Sequence, residues 1–341
     1  MRSRLFRSSL GAAILCVLVP YADATTLYVA NNALDALACG TKESPCRSIT
    51  AAIAKAAPGD KIIVGPGRYG DLDRNGTLGG PGEEVPAPGC GCMLAVNKAV
   101  SLTSSGGAAA TLIDARTVNQ LVNVALFLVD GEFGRPGKGF TVTATAYLDG
   151  KGIVIDSGEL AVRGNQVVQN THASSSTGAI GIDMPFPQDI LVEGNQVTGW
   201  YIGIAARGAG NIVRRNQVAQ NGTGIAASRG EVIGNVVTGN VVGLDLRGSA
   251  HVFGNAIHGN DGGIFVGYAT SGVVERNNVF GNRDFGLNNN ETAGLVATDN
   301  YWGAVSGPGD DPADDVLDGL STTTFAPFAT VPFKVKAPIK P

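Results

Sequence analysis

Apolar and polar positions along this chain recur as a synchronised set. Asn165, Asn195, Asn216, Asn235, Asn255, Asn277 and Asn300 form one series, spaced 19 to 30 residues apart. Two residues after each stands an apolar side chain: Val167, Val197, Val218, Val237, Ile257, Val279 and Trp302. A second series follows about five residues on, at Asn170, Asn221, Asn240, Asn260 and Asn282, with Gly199 taking its place in the second copy. A third is a Gly-apolar pair: Gly181-Ile182, Gly203-Ile204, Gly224-Ile225, Gly243-Leu244, Gly263-Ile264 and Gly286-Leu287. Together they define a unit of about twenty residues, clearest over 160–303, whereas helical repeats need about 33 or more. The unit predicts a coil of three short strands, each turning one or two apolar side chains inward. Asn tolerates the left-handed backbone region and its amide can bond the next coil, so stacked Asn predict ladders along the axis. The Gly residues are expected at the corners.

Upstream of the repeats, Ser48 is placed to cap a short helix running through Ala57, stopped by Pro58-Gly59-Asp60. Lys61–Val64 reads as a strand and Gly65–Tyr69 as a turn. Less regular strands are expected near Ala99–Thr103, Leu121–Val129 and Gly152–Ile155. Residues 304–341 read as a tail, with Phe325, Phe328 and Phe333 folding back over the last coil.

The units Gly234–Leu244 and Gly254–Ile264, of the type G-N-x-V-x2-N-x2-G-(I/L), resemble the right-handed parallel β-helix proteins of the pectin-lyase-like superfamily. So do the entry segment Cys46–Tyr69 and the closing Asn300-Tyr301-Trp302-Gly303 with Gly307-Pro308-Gly309. The resemblance spans about residues 26–333. It implies an all-β, single-stranded right-handed parallel β-helix (solenoid) of roughly ten coils, with the short N-terminal helix capping its open end.

Composition fits this reading. Gly accounts for 49 of 341 residues, roughly twice the usual share, which disfavours long helices because each interior Gly costs about 1 kcal/mol. Arg2, Arg4 and Arg7, the apolar Leu10–Val19 and Ala22-Asp23-Ala24 read as a signal peptide over 1–24, leaving a β-helix domain over 25–341. Cys16 offers a lipoprotein alternative, with bulky Leu15 against it. No segment is long and apolar enough to span a bilayer. Removal of the leader leaves 22 basic and 28 acidic residues, net −6, which argues against a nucleic-acid partner. The expected location is secreted, periplasmic or extracellular. Cys39, Cys46, Cys90 and Cys92 then suggest two disulfides, paired either 39–46 with 90–92 or 39–90 with 46–92.

Two places carry candidate chemistry. Asp71-Leu72-Asp73-Arg74-Asn75-Gly76-Thr77-Leu78 matches the first eight positions of a calcium loop, with Asp71, Asp73, Asn75 and Thr77 as ligands. Position twelve is Gly82, so Glu83 is expected to supply the last carboxylate; the alternative is a polar turn. The second place is the strand after each Gly-apolar pair, where alternation turns two columns outward. One is Asp183, Ala205, Ala226, Asp245, Phe265 and Asn288; the other is Pro185, Arg207, Ser228, Arg247, Gly267 and Asn290. With Tyr201 and Tyr268 nearby, Asp183, Arg207, Asp245, Arg247 and Phe265 suit an extended polysaccharide or cell-surface glycan, since Arg pairs with carboxylates and rings stack on sugars. The alternative is ordinary solvated strand surface.

Asp183 and Asp245 lie three coils apart, about 14 Å, beyond the roughly 5–9.5 Å of glycosidase carboxyl pairs. The calcium-binding Asp cluster that the resemblance implies for pectate lyases is missing, as are polygalacturonase and pectin methylesterase motifs. Asp310-Asp311 and Asp314-Asp315 are expected to be solvated loop. His172, His251 and His258 match no metal-ligand pattern. The reading is a carbohydrate-associated β-helix protein without a recognised catalytic set. The alternatives are a lyase or epimerase on acidic glycans, with Arg207 or Arg247 as base or neutralising group, and a structural scaffold.

Overall fold

The computed structural model describes residues 23–341 except 119–123, 144–148, 170–177, 187–188, 268–270, 292–293, 310 and 337–341. Most of the expected leader, Asn170, His172 and Tyr268 therefore lie outside the described residues.

Three sheets run side by side along one axis. Among the described residues the first has 12 strands, from Thr26–Val29 to Thr323–Thr324; the second has nine, from Gly67–Gly70 to Asn278–Phe280; the third has ten, from Cys92–Val96 to Val316–Asp318. The pairings between these strands are parallel, and each coil visits the three sheets in turn. This is a parallel β-helix. Registers match the repeat residue for residue: Val197 pairs with Val218 and Val218 with Val237. On the third sheet Ile204 pairs with Ile225 and Ile225 with Leu244. All these side chains are fully buried in one continuous core, each stabilising the fold by about 1.5–3 kcal/mol.

Both Asn ladders form. Asn165, Asn195, Asn216, Asn235, Asn255, Asn277 and Asn300 line the corner between the first and second sheets. Asn221, Asn240, Asn260 and Asn282 line the corner between the second and third. Within each ladder an Asn Oδ1 accepts from the backbone N–H and Nδ2 of the Asn one coil earlier.

The Gly of the Gly-apolar pairs is not at a corner, as expected, but inside a third-sheet strand. A Cβ on Gly224 would meet Gly243 O at 2.6 Å, Val237 Cγ1 at 2.8 Å and Asn240 Nδ2 at 3.0 Å. The ladder and the apolar row press over the strand there, so only a hydrogen fits. True corner positions, in the left-handed region, precede the first ladder: Gly164, Gly194, Arg215, Gly234, Gly254, Arg276 and Asp299.

The helix spans Ile49–Lys55 and covers the N-terminal end. Ser48 Oγ accepts from Ala51 N at 3.1 Å, and buried Glu84 accepts from Ile49 N at 2.8 Å and Thr50 N at 2.7 Å. Lys98 Nζ donates to the carbonyls of Ile53 and Ala56, both at 2.8 Å, so side chains satisfy backbone groups at both helix ends. Gly67–Gly70, expected as part of a turn, is instead a strand, because buried Tyr69 sits beside Ile113 in the second sheet. Cys39 pairs with Cys46 and Cys90 with Cys92, at Cα separations of 4.8 and 5.2 Å.

Asp314 is also not solvated loop. It is buried, and its carboxylate accepts from Asn282 Nδ2 at 2.6 Å, closing the second ladder. The tail does fold back: Phe325 and Phe328 pack on the core.

Candidate functional site

The third sheet turns one column of side chains outward in strict register. Asp183 pairs with Ala205, then Ala226, Asp245, Phe265 and Asn288 in succession. The second column, two residues on, keeps the same order, with Arg207 N donating to Met184 O and Arg247 N to Ala227 O.

At this face the carboxylates are recessed and the cations stand above them. Asp183 is fully buried, although alternation predicts exposure. Lys151 Nζ donates to its Oδ2 at 2.6 Å and Arg207 NH1 to its Oδ1 at 2.7 Å. The Lys151 and Arg207 side chains remain 30% and 43% exposed. Three coils along, Arg247 NH2 donates to Asp245 Oδ2 at 2.9 Å, and the Arg side chain is 54% exposed against 16% for the Asp. Tyr201 and Phe265 are half-buried beside these groups in sequence. Lys151 was not identified from the sequence; its signal was its position one coil before Ile180, the strand start that carries Asp183.

The loop after Tyr69 brings together part of the expected calcium set. Carboxylate oxygens of Asp71, Asp73 and Glu83 lie within 4.8 Å of one another. Asp71 is fully buried; its Oδ2 accepts from Gly76 N at 2.9 Å, and the Thr117 side chain also faces its carboxylate; burial would raise this carboxyl, but these hydrogen bonds hold it below its ordinary value. Glu83 Oε1 accepts from Leu72 N at 2.8 Å. Asn75 and Thr77 are exposed: Asn75 Oδ1 accepts from Thr77 N at 2.7 Å, and Asn75 Nδ2 donates to Asp73 Oδ2 at 2.8 Å. The loop is anchored below by Arg68, whose NH1 donates to Leu72 O at 3.1 Å and NH2 to Asp71 O. Arg68 in turn binds Asp114 at 2.7 Å, and Arg116 binds the same carboxylate at 2.8 Å. Burial would raise the Asp114 carboxyl, but these guanidinium hydrogen bonds hold it well below the usual carboxylate range.

With this geometry in hand, comparison with known proteins places the chain. Residues 136–306 match the family model described as "Periplasmic copper-binding protein (NosD)". The chain belongs to the NosD family. Three solved structures share the fold of this NosD family member. Pectate lyase Pel9A matches with a TM-score of 0.52 at 14% identity, covering 92% of this chain and 80% of that one. A rhamnogalacturonan lyase matches with a TM-score of 0.52 at 11% identity, covering 90% and 89%. A GH136 lacto-N-biosidase from Eubacterium ramulus gives a TM-score of 0.51 at 12% identity, covering 91% and 68%. No curated protein matches the chain by sequence. No helix among the described residues is long and apolar enough to cross a membrane.

The described residues do not fit copper. Copper takes thiolate or thioether donors as Cu(I), or clustered imidazole with nitrogen and oxygen donors as Cu(II), and no His joins a ligand cluster among the described residues. The four Cys in the described residues form disulfides, and Met93 and Met184 are fully buried in the core. His251 faces Glu275 at 3.0 Å, and His258 stacks on Phe280 with ring centroids 5.0 Å apart. The carboxylates around Asp71 are hard oxygen donors.

Proposed function

We propose that this protein works outside the cytoplasm and binds an extended acidic polysaccharide along its third sheet. The observation that carries this reading is the vertical sorting of charge: recessed Asp183 and Asp245 beneath half-buried Lys151 and exposed Arg207 and Arg247. Each cation is oriented by a carboxylate, and the three cationic side chains stay 30%, 43% and 54% exposed. The periplasmic description of the NosD family and the fold shared with polysaccharide-acting enzymes support it. A panel of immobilised glycans tests it. The mature chain is expected to retain uronate-rich polymers over neutral ones, with hydrogen-exchange protection on Ile202–Ala206 and Val242–Leu246. R207A/R247A is expected to weaken retention at least tenfold. Retention without protection on these strands would overturn the reading. A parallel assay for unsaturated sugar release separates a binder from a lyase.

We also propose that the Asp71 loop takes calcium, on a separate observation: carboxylate oxygens of Asp71, Asp73 and Glu83 converge within 4.8 Å of one another, with Asp71 and Glu83 buried. Calcium is expected to raise the melting temperature by several degrees in the native chain and not in D71N. Equal shifts in both, or none, would remove the proposal.

A further inference from the structure

A groove lies outside the first Asn ladder, lined by none of the residues of the third-sheet face or the Asp71 loop. It has a volume of about 450 Å³ and runs along the corner between the first and second sheets, walled on one side by the C-terminal tail. Five cations line it: Arg214, Arg215, Arg276, Lys334 and Lys336. No acid is among its described lining residues, in a chain whose net charge is −4.

The backbone shows that the arginines are not there for the turn. Position for position, the corner before each ladder Asn takes the left-handed conformation, with φ between 53° and 65°. Glycine serves it at 164, 194, 234 and 254, yet Arg stands at 215 and 276. Side chains disfavour this region, so each Arg is held against backbone preference. Between the two arginines lie Gly234 and Gly254, and a Cβ at either would meet nothing within 4 Å. The result is two cationic posts three coils apart, about 14 Å at the strand spacing, across an open glycine floor.

The tail is fixed against this floor. Asn278 Nδ2 donates to Phe333 O at 2.8 Å, and Phe333 N donates to Asn278 Oδ1 at 2.7 Å. That reciprocal pair sets Phe333 opposite Phe253, and the Arg276 guanidinium lies 5.4 and 5.6 Å from their ring centroids. The rings orient Arg276 without neutralising it. Arg214 and Arg215 share buried Glu193 at 2.8 and 3.7 Å, which also faces Arg163. One carboxylate thus serves several cations. Lys334 and Lys336 are exposed on the opposite wall.

We propose that this groove binds an anionic sugar polymer, with carboxylates repeated along its length meeting Arg215 and Arg276 at either end and the two lysines from the side. The inference does not rest on the third-sheet reading, because it concerns a different face and different residues. The open floor and spaced posts suit a linear polyanion rather than a single small anion.

Binding of polygalacturonate to the full mature chain tests this, with its methyl-esterified form, inorganic phosphate and phosphatidylglycerol vesicles alongside. The variant R215G/R276G returns both corners to the residue the backbone prefers, so folding is preserved. It is expected to keep the wild-type melting temperature and lose at least tenfold in affinity. K334A/K336A is expected to lose severalfold, and R207A/R247A to retain the groove component, seen as hydrogen-exchange protection at Arg214 and Arg276. Wild-type binding should weaken with salt. Unchanged affinity in R215G/R276G would overturn the proposal. So would equal binding of the esterified polymer, displacement by millimolar phosphate, or a preference for the vesicles.

Discussion

The ladder Asn shows how one side chain can determine where a coil stops and starts. Asn235 is fully buried and uses both ends of its amide. Its Oδ1 accepts from Asn216 N at 2.9 Å and Asn216 Nδ2 at 3.0 Å; its Nδ2 donates to Val213 O at 2.9 Å and Asn255 Oδ1 at 3.0 Å. Removing it strands donors above and acceptors below in a site that excludes water. Each orphaned group costs about 1–3 kcal/mol, so Asn235→Ala is expected to destabilise by about 3 kcal/mol or more, read as a lower urea midpoint with unchanged slope. A shift under half of that would mean water or a neighbouring rung replaces the lost bonds. Asp314 obeys the same logic from the other side. It ends the second ladder, where it only has to accept from Asn282, and a carboxylate is an acceptor alone. Burial pushes its carboxyl above the ordinary value, which the amide hydrogen bonds oppose.

At the scale of strands and loops, the repeat was legible because its signal is periodic. Three series in step leave no other economical geometry, and the buried rows from Val167 to Trp302 and from Ile182 to Leu287 follow it. What escaped was set by contacts between coils, which have no period. The Gly before each third-sheet apolar residue reads as a turn in one dimension; only the neighbouring coil's carbonyl and the ladder amide show that it is a strand residue with no room for Cβ. Asp183 reads as exposed by alternation, but Lys151 and Arg207 from the adjoining coils enclose it. Glu83 and Glu84 are neighbours in sequence, yet they part company: Glu83 holds the loop and Glu84 accepts from the first turn of the helix. The cationic groove was unreadable for the same reason. Arg215 and Arg276 lie 61 residues apart, and Lys334 joins them only because Asn278 fastens the tail.

At the scale of the whole molecule, a solenoid of parallel coils has two open ends, each an edge that can template further pairing. The N-terminal edge is covered by the helix Ile49–Lys55. The C-terminal edge is covered by the tail, which adds Val316–Asp318 to Phe285–Asn289 and Thr323–Thr324 to Leu295–Val296. It also supplies Asp314 to Asn282 and packs Phe325 and Phe328 on the core. Because each coil contacts only its neighbours, stability is close to a sum over coils and interfaces, and a missing end coil is felt locally. A chain stopped after Gly303 is therefore expected to keep its β-sheet circular dichroism while exposing two strand edges and an unfilled ladder. It should melt lower than the full chain and grow in mass with concentration by light scattering. Asp314→Ala in the full chain separates the two effects: it removes the ladder's last acceptor but leaves the covering strands, so it should lower the melting temperature without association. If the shortened chain instead matches the full chain in size and melting temperature, the tail is not the cap, and the coil ending at Trp302 must protect itself.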